Sequence, residues 1–302
     1  MNNLTLRQLR YFEAVANMGH FGRAAEVCSI SQPAISVQIK ELEEGLGATL
    51  FERGPRQARL TPFGKEFALR VREVLRAVDD LGNMARASTD RMSGQLRIGI
   101  IPTIAPYLLP RIIGELALSH PDLDVHVRET LTDKLIEELG EGTLDAAIVA
   151  LPISEPSLSE VPLFDERFVL VRGADDSDKP VPDRAMLREM KLLLLEEGHC
   201  FRDQALSFCN LRPTMPRDGM DGSSLTTLVQ MVGAGIGVTL IPEMAVPIES
   251  KSAAVSIAHL TNPTPTRTIG MVWRNTSPLA AQFAQVSAVV KRSADALNLG
   301  AD

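Results

Sequence analysis

The sequence predicts a helical N-terminal head carrying a winged helix-turn-helix, a long linker helix, and a C-terminal α/β domain built from two subdomains. Three observations carry this expectation. Residues 1–60 read as three short helices and a hairpin; apolar residues then recur at alternating spacings of four and three from Phe67; and from Ser93 apolar strands alternate with amphipathic helices. At 302 residues the chain exceeds one ordinary core. The divisions expected are 1–60, 61–92 and 93–302.

In the head, Thr5 caps a helix whose apolar positions Leu6, Leu9, Phe12, Val15 and Ala16 keep helical spacing until Gly19. A short helix covers FGRAAEVC, the tripeptide SIS turns, and Ser31 caps a third helix, QPAISVQIKELEEGLG. Pro33 is tolerated in its first turn, and Gly45 and Gly47 close it. Ile35, Ile39, Leu42 and Leu46 form its inner stripe. The outer face is left with Ser31, Gln32, Ser36 and Gln38, small and amide side chains that let a helix approach a major groove and bond base edges or phosphates. LFERGPRQARLT reads as a hairpin whose wing carries Arg53, Arg56 and Arg59.

Charge supports that placement. Residues 1–90 hold twelve Lys/Arg against eleven Asp/Glu, whereas the remainder holds nineteen against 27, so the net −7 belongs to the C-terminal part. Within 53–76 seven basic residues face two acidic ones, a patch able to meet phosphate.

From Thr61-Pro62 a single helix is expected through residue 89, with Phe67, Val71, Val74, Val78 and Leu81 forming a coiled-coil seam to a second copy. The α/β part follows with strands at GQLRIGII, LDVHVRE, LDAAIVAL, RFVLVRG, KLLLLEE, GVTLIP and TRTIGMVWR, and helices between them. Their number exceeds one small sheet, which points to two subdomains joined by crossing strands with a ligand cleft between the lobes. No stretch is apolar enough to cross a membrane, and the N-terminus lacks a signal-peptide core, so a cytoplasmic location and no membrane partner are expected.

Three cysteines argue against a disulfide framework. Cys28 reads as a small buried hydrophobe. Cys200 and Cys209 bracket FRDQALSF. On one regular helix they would stand about 13.5 Å apart on opposite faces. A thiolate at Cys200 would gain from the helix N-terminus and from Arg202 or His199. Two core cysteines on an amphipathic helix fit the residues equally well. His199, Cys200 and Cys209 offer three soft ligands without a fourth nearby, so no metal is expected, and no cofactor. A peroxidase is a competing class that would require a docking site for a reducing partner.

FGRAAEVCSISQPAISVQIKELEEGLGATLFER resembles, almost position for position, the winged helix-turn-helix of LysR-type transcription regulators. The α/β part is similar to the effector domain of that family, itself akin to type 2 periplasmic binding proteins. IPTIAPYLLPRII, LLLEEGHCFRDQALSFC, MVGAGIGVTLIP and RTIGMVWRNTSPL resemble its peroxide-sensing branch. That resemblance implies a DNA-binding regulator rather than an enzyme, with Cys200 reacting with hydrogen peroxide and Cys209 resolving the product as a disulfide. It implies that Thr103, Thr132, His199 and Arg267 line the peroxide pocket, with Arg267 holding the thiolate. Expected partners are promoter DNA, hydrogen peroxide, further copies of the chain as dimer or tetramer, RNA polymerase and a cellular thiol reductant. The alternative is a regulator answering a small metabolite in the same cleft without redox chemistry.

Overall fold

A computed structural model describes residues 4–52, 57–87, 92–210, 221–261 and 263–297. The chain divides into two compact units, Met1–Ala85 and Arg86–Asp302.

The first unit begins with α1 (Leu6–Met18), α2 (Phe21–Val27) and α3 (Gln32–Leu46). Thr5 and Gln8 form a reciprocal capping box at the start of α1, and Gly19 ends it in a left-handed conformation (φ 62°). Cys28 caps the C-terminus of α2, and burial pushes its thiol pKa up. Ile35, Ile39 and Leu42 of α3 pack with Leu9, Phe12 and Val15 of α1. Glu43 ties α3 to the wing, its Oε1 accepting the amides of Leu50 at 2.6 Å and Phe51 at 3.1 Å. The wing closes on the Phe51–Leu60 bridge and on the Glu52 amide donating to Arg59 O at 2.7 Å. Helix α4 (Pro62–Ala87) starts where Thr61 Oγ1 accepts the Gly64 amide at 2.9 Å. Gly64 is obligatory, because a Cβ there would overlap the carbonyl of Leu50.

The expected seam on α4 divides in two. Val71 is buried in this unit's own core together with Ala68 and Leu75, and Phe67 packs against that core edge-on to Phe12. Val74 and Leu81 lie outside it at 44% and 66% exposure, and Val78 is half-buried.

The second unit is an α/β domain. Its helices and strands run β1 (Gly94–Ile100), α5 (Ala105–Ser119), β2 (Leu123–Glu129), α6 (Thr132–Glu141), β3 (Ala146–Leu151), β4 (Leu158–Gly173), α7 (Arg184–Glu189), β5 (Leu192–Leu195), α8 (Cys200–Phe208), β6 (Asp221–Gly222), α9 (Leu225–Gly233), β7 (Val238–Pro242), α10 (Val246–Glu249), β8 (Val255–His259), β9 (Thr266–Arg274) and α11 (Ala280–Asp295). The strand order among the described residues is β2-β1-β3-β9-β4-β7-β5-β6, with β8 also on β4. Strands β1, β2 and β3 are parallel, as βαβ crossovers demand.

Strand β4 is the crossing element, and only its second half, RFVLVRG, carries the apolar run that marks a strand in the sequence. Residues 158–167 pair with β9 in the first lobe, and residues 168–173 pair with β7 and β8 in the second. The first half was hidden because its burial is mixed, without the continuous apolar run of RFVLVRG. Strand β8 was missed for the same reason, its residues being mostly half-buried.

Candidate functional site

Helix α3 presents the residues expected to read DNA. Ser31 Oγ accepts the Ala34 amide at 3.4 Å and so caps the helix. Ser31, Gln32, Pro33 and Ser36 are exposed along its N-terminal half. Gln38 is half-buried and donates to Glu41 at 2.7 Å. Arg59 is exposed on the wing with Nη2 3.4 Å from Gln57. Arg53 and Arg56 lie outside the described residues.

The second site is built on α8. Gly198, at φ 94°, turns the chain from β5 into the helix, and Leu131 fills the space a Cβ would take. Cys200 is the first residue of α8 and half-buried; Cys209 is its C-cap and fully buried. No disulfide joins them. Phe201, Ala205 and Leu206 anchor the inner face. Arg184 holds the far end, Nε donating to Phe208 O at 2.7 Å with the guanidinium over the Phe208 ring. Arg202, expected beside the thiol, turns the other way: Nη1 donates to Leu195 O at 2.6 Å and pairs with Asp221 at 2.9 Å.

Cys200 opens onto a cavity of about 650 Å³ shared with Thr132, Asp203 and Gln204. Thr132 Oγ1 and Gln204 Oε1 are buried atoms without a hydrogen-bond partner among the described residues. Two orphaned polar atoms at the mouth of one thiol are costly unless something small and polar completes them. Gln204, one helical turn beyond Cys200 on α8, is not singled out among the expected site residues, although the i, i+4 spacing marks it.

Thr103 and His199 face a second cavity, of about 360 Å³, with Tyr107, Ser224 and Thr226. Burial pushes the His199 pKa down, outweighing the opposite pull of Glu196, so the imidazole is neutral at neutral pH. Tyr107 Oη donates to Glu249 at 2.7 Å, and both burial and that carboxylate push the tyrosine pKa up.

Arg267 lies in neither cavity lining. Its guanidinium reaches Thr103 Oγ1 at 2.8 Å and Thr103 O at 3.2 Å, pairs with Glu166, and stacks 5.2 Å from the centre of the Phe201 ring. No hydrogen bond joins it to Cys200 among the described residues. The structure therefore brings Thr132 to Cys200 and Thr103 to Arg267, with Phe201 as the link between the two groups.

A helix-turn-helix head followed by a two-lobed α/β domain is the architecture of bacterial regulators that couple a sensed signal to DNA. Residues 6–65 match the model of the bacterial regulatory helix-turn-helix protein, lysR family, and residues 89–295 match that of the LysR substrate binding domain. The chain belongs to the LysR family. Within that family it is similar to OxyR. It is 41% identical over 97% of its length, and 96% of the relative's, to the DNA-binding transcriptional dual regulator OxyR of Escherichia coli K12. It is 40% identical to a probable hydrogen peroxide-inducible genes activator of Streptomyces viridosporus, over 96% of this chain and 94% of the other. Among solved structures, a full-length cysteine variant of Pseudomonas aeruginosa OxyR shares 36% identity at a TM-score of 0.77, covering 96% and 98% of the two chains. A cysteine-to-serine variant of Corynebacterium glutamicum OxyR with H2O2 bound shares 36% identity at a TM-score of 0.68, covering 97% and 93%.

Proposed function

We propose that the protein is a cytoplasmic transcription regulator that senses hydrogen peroxide at Cys200 and stores the signal as a Cys200–Cys209 disulfide. The observation that carries this reading is the pairing of an accessible thiol with the orphaned Thr132 Oγ1 and Gln204 Oε1 at one end of α8, while Cys209 is buried at the other. Peroxide is small, neutral and able both to donate to and accept from such groups. The names of the relatives support the same chemistry.

Cys200 would be oxidised to a sulfenic acid, and Cys209 would then displace water to close the disulfide. A disulfide needs Cα atoms within about 6.8 Å. The ends of a nine-residue helix stand about twice as far apart, so α8 must unwind. The cross-link restricts a loop of this size by about 3 kcal/mol, comparable with what a short packed helix contributes. A thiol reductant can then reset the switch. Rebuilding α8 would change how the effector domain packs on further copies of the chain and so the spacing of the α3 helices on promoter DNA. Val74, Val78 and Leu81 supply the apolar stripe of α4 available for pairing, and RNA polymerase is the partner through which an activator would act.

The test is thiol-state mass spectrometry of the full chain after a brief low dose of hydrogen peroxide, with a Cys200–Cys209 disulfide expected. The second cavity, lined by Tyr107, Ser224 and Thr226 and excluding Cys200, favours a metabolite-binding regulator as the other reading. Two unmodified thiols after peroxide would make it the better account.

A further inference from the structure

The cavity onto which Cys200 opens is one-sided in charge. Asp133, Glu137, Glu155 and Asp203 line it, and among the described residues no Lys or Arg does. All four are exposed, while Cys200 is half-buried and Thr132 Oγ1 and Gln204 Oε1 are buried. The carboxylates therefore stand at the solvent side and the thiol deeper in. Lys134, outside the lining, pairs with Glu137 at 2.6 Å and offsets one charge. Asp133, Glu155 and Asp203 pair with no cation among the described residues; the Glu155 carboxylate accepts from the Ser157 hydroxyl at 3.1 Å. The deep end differs. Thr132 and Cys200 are the first residues of α6 and α8, and neither helix begins with a side-chain cap. The partial positive charge of a helix start fades within one turn, so it acts at the depth of the sulfur and not on a solute still outside. Asp133 and Asp203 lie in those first turns and suit the two helix dipoles in any case, but Glu155 lies on the loop between β3 and β4 and serves no helix start. A group of acids alone is a solvated face. Here it stands over a thiol and two orphaned oxygens.

We infer that Asp133, Glu155 and Asp203 form a charge filter over Cys200, admitting small neutral reagents such as hydrogen peroxide and turning away anionic oxidants and anionic thiols. The inference rests on the peroxide reading above for its use, and sharpens it. Peroxide crosses the filter because it carries no charge. A sulfenic acid formed at Cys200 is then shielded from anionic thiols in solution, and the disulfide is left to Cys209. In that closing step the S–S bond forms as the S–O bond breaks, and the Cys209 proton leaves with the hydroxide as water. A unit charge about 10 Å from a reagent, the width of a cavity of this volume, changes its approach about twofold in low salt, so three together should give about eightfold. At about 0.5 M salt the screening length is about 4 Å, and little of that preference should survive.

The test alkylates the reduced full-length chain with iodoacetamide, which is neutral, and with iodoacetate, which is nearly the same size and carries one negative charge. In both, the thiolate sulfur displaces iodide from a methylene carbon, an S–C bond forming as the C–I bond breaks. Mass spectrometry of the tryptic peptide that ends at Arg202 reads Cys200 without Cys209. The ratio of the iodoacetamide rate to the iodoacetate rate should exceed that of the same thiol in the urea-unfolded chain by about eightfold in low salt, and should approach it at about 0.5 M salt. Asp133→Asn combined with Glu155→Gln and Asp203→Asn should bring the low-salt ratio to within about twofold of the unfolded value. Glu155→Gln alone touches no helix start, serves where the triple variant does not fold, and should lower the ratio about twofold. A folded-chain ratio equal to the unfolded one overturns the inference, and so does a raised ratio that the substitutions leave unchanged. The expected charge preference on a Cys200 inert to hydrogen peroxide overturns the peroxide reading instead and leaves the filter standing.

Discussion

Helix α3 in the head starts on Ser31, whose hydroxyl caps it, and ends on Gly47 in a left-handed conformation, whereas α8 starts on His199, whose side chain caps nothing, and ends on Cys209. The first runs fifteen residues and the second nine. A side-chain cap is worth about 1 kcal/mol. A helix shorter than about twelve residues is marginal without tertiary packing. Phe201, Ala205 and Leu206 supply that packing for α8, together with Arg184 and Arg202 at its two ends. One helix is built to keep its shape while it reads, and the other holds its shape only as long as its neighbours do. On the function proposed above, a signal that must rearrange the fold would enter at the helix with the smaller reserve.

The two thiols at the ends of α8 are the positions where α8 and α3 should respond most differently. Cys200→Ser should abolish the peroxide response while leaving reduced-state DNA affinity unchanged, measured by footprinting with and without peroxide. Cys209→Ser should block the disulfide and leave sulfenic acid at Cys200. A normal response in Cys200→Ser would place the switch outside α8.

At the reading helix the effect is smaller and of another kind. Gln32→Ala should relax base preference at one position by about 1–3 kcal/mol, seen across a set of operator variants, with peroxide kinetics unaltered. Ser31→Ala should cost the head about 1 kcal/mol in denaturant unfolding. A peroxide threshold that moves with either substitution would show the two helices to be coupled more tightly than this comparison allows.

How far the two helices could be read from sequence differs in the same way. Thr5, Ser31, Gly19 and Gly47 announced α1 and α3 through local rules, and the structure places caps at each. Val71 was misjudged as a seam residue because a heptad repeat does not say which core receives it, and the head's own core does. In the effector domain, Cys200, Cys209 and the helix between them were legible. Of the groups around them, Thr103, Thr132, His199 and Arg267 were reached only through the family resemblance, and Glu166 not at all. Glu166 and Arg267 are 101 positions apart and meet only through the register of β4 on β9. No spacing rule spans such a distance, and Thr103 joins them from the loop after β1. What is written locally can be read residue by residue, and what the sheet assembles cannot.

The pH dependence of stability bears on the same helix, since the shifted histidine stands at the N-cap position of α8. Burial lowers the His199 pKa in the folded state, so below about 6.5 the unfolded chain takes up a proton that the folded chain does not. Effector-domain stability should therefore be full above 6.5, decline as pH falls through the window below it, and level off under the depressed folded value. Glu166, whose carboxyl pKa burial pushes up, runs the other way: its contribution is present at the acidic end and lost as pH rises. His199→Asn removes only the first effect, so the fall in denaturant midpoint between pH 7.5 and 5.5 should be smaller in the variant than in the parent. An identical fall in both would mean that His199 is not the titrating group.

The smallest expected effect tests the helix itself. Ser207 is exposed on α8, between the two cysteines and away from both cavities. Ser207→Ala should stabilise the helical, reduced form by about 0.5 kcal/mol through propensity alone. The disulfide form has no regular helix here and gains nothing, so the equilibrium shifts about twofold toward the dithiol and the midpoint potential becomes about 10 mV less negative. Ser207→Gly should move it by a similar amount in the opposite direction. Redox titration of the Cys200–Cys209 couple in glutathione buffers reads both shifts on one scale. Opposite movements of the two variants mean that the folding free energy of α8 sets the threshold of the switch. Potentials that coincide with the parent's in both would mean that the oxidised chain keeps the helix, and the contrast between α3 and α8 would then lose its functional meaning.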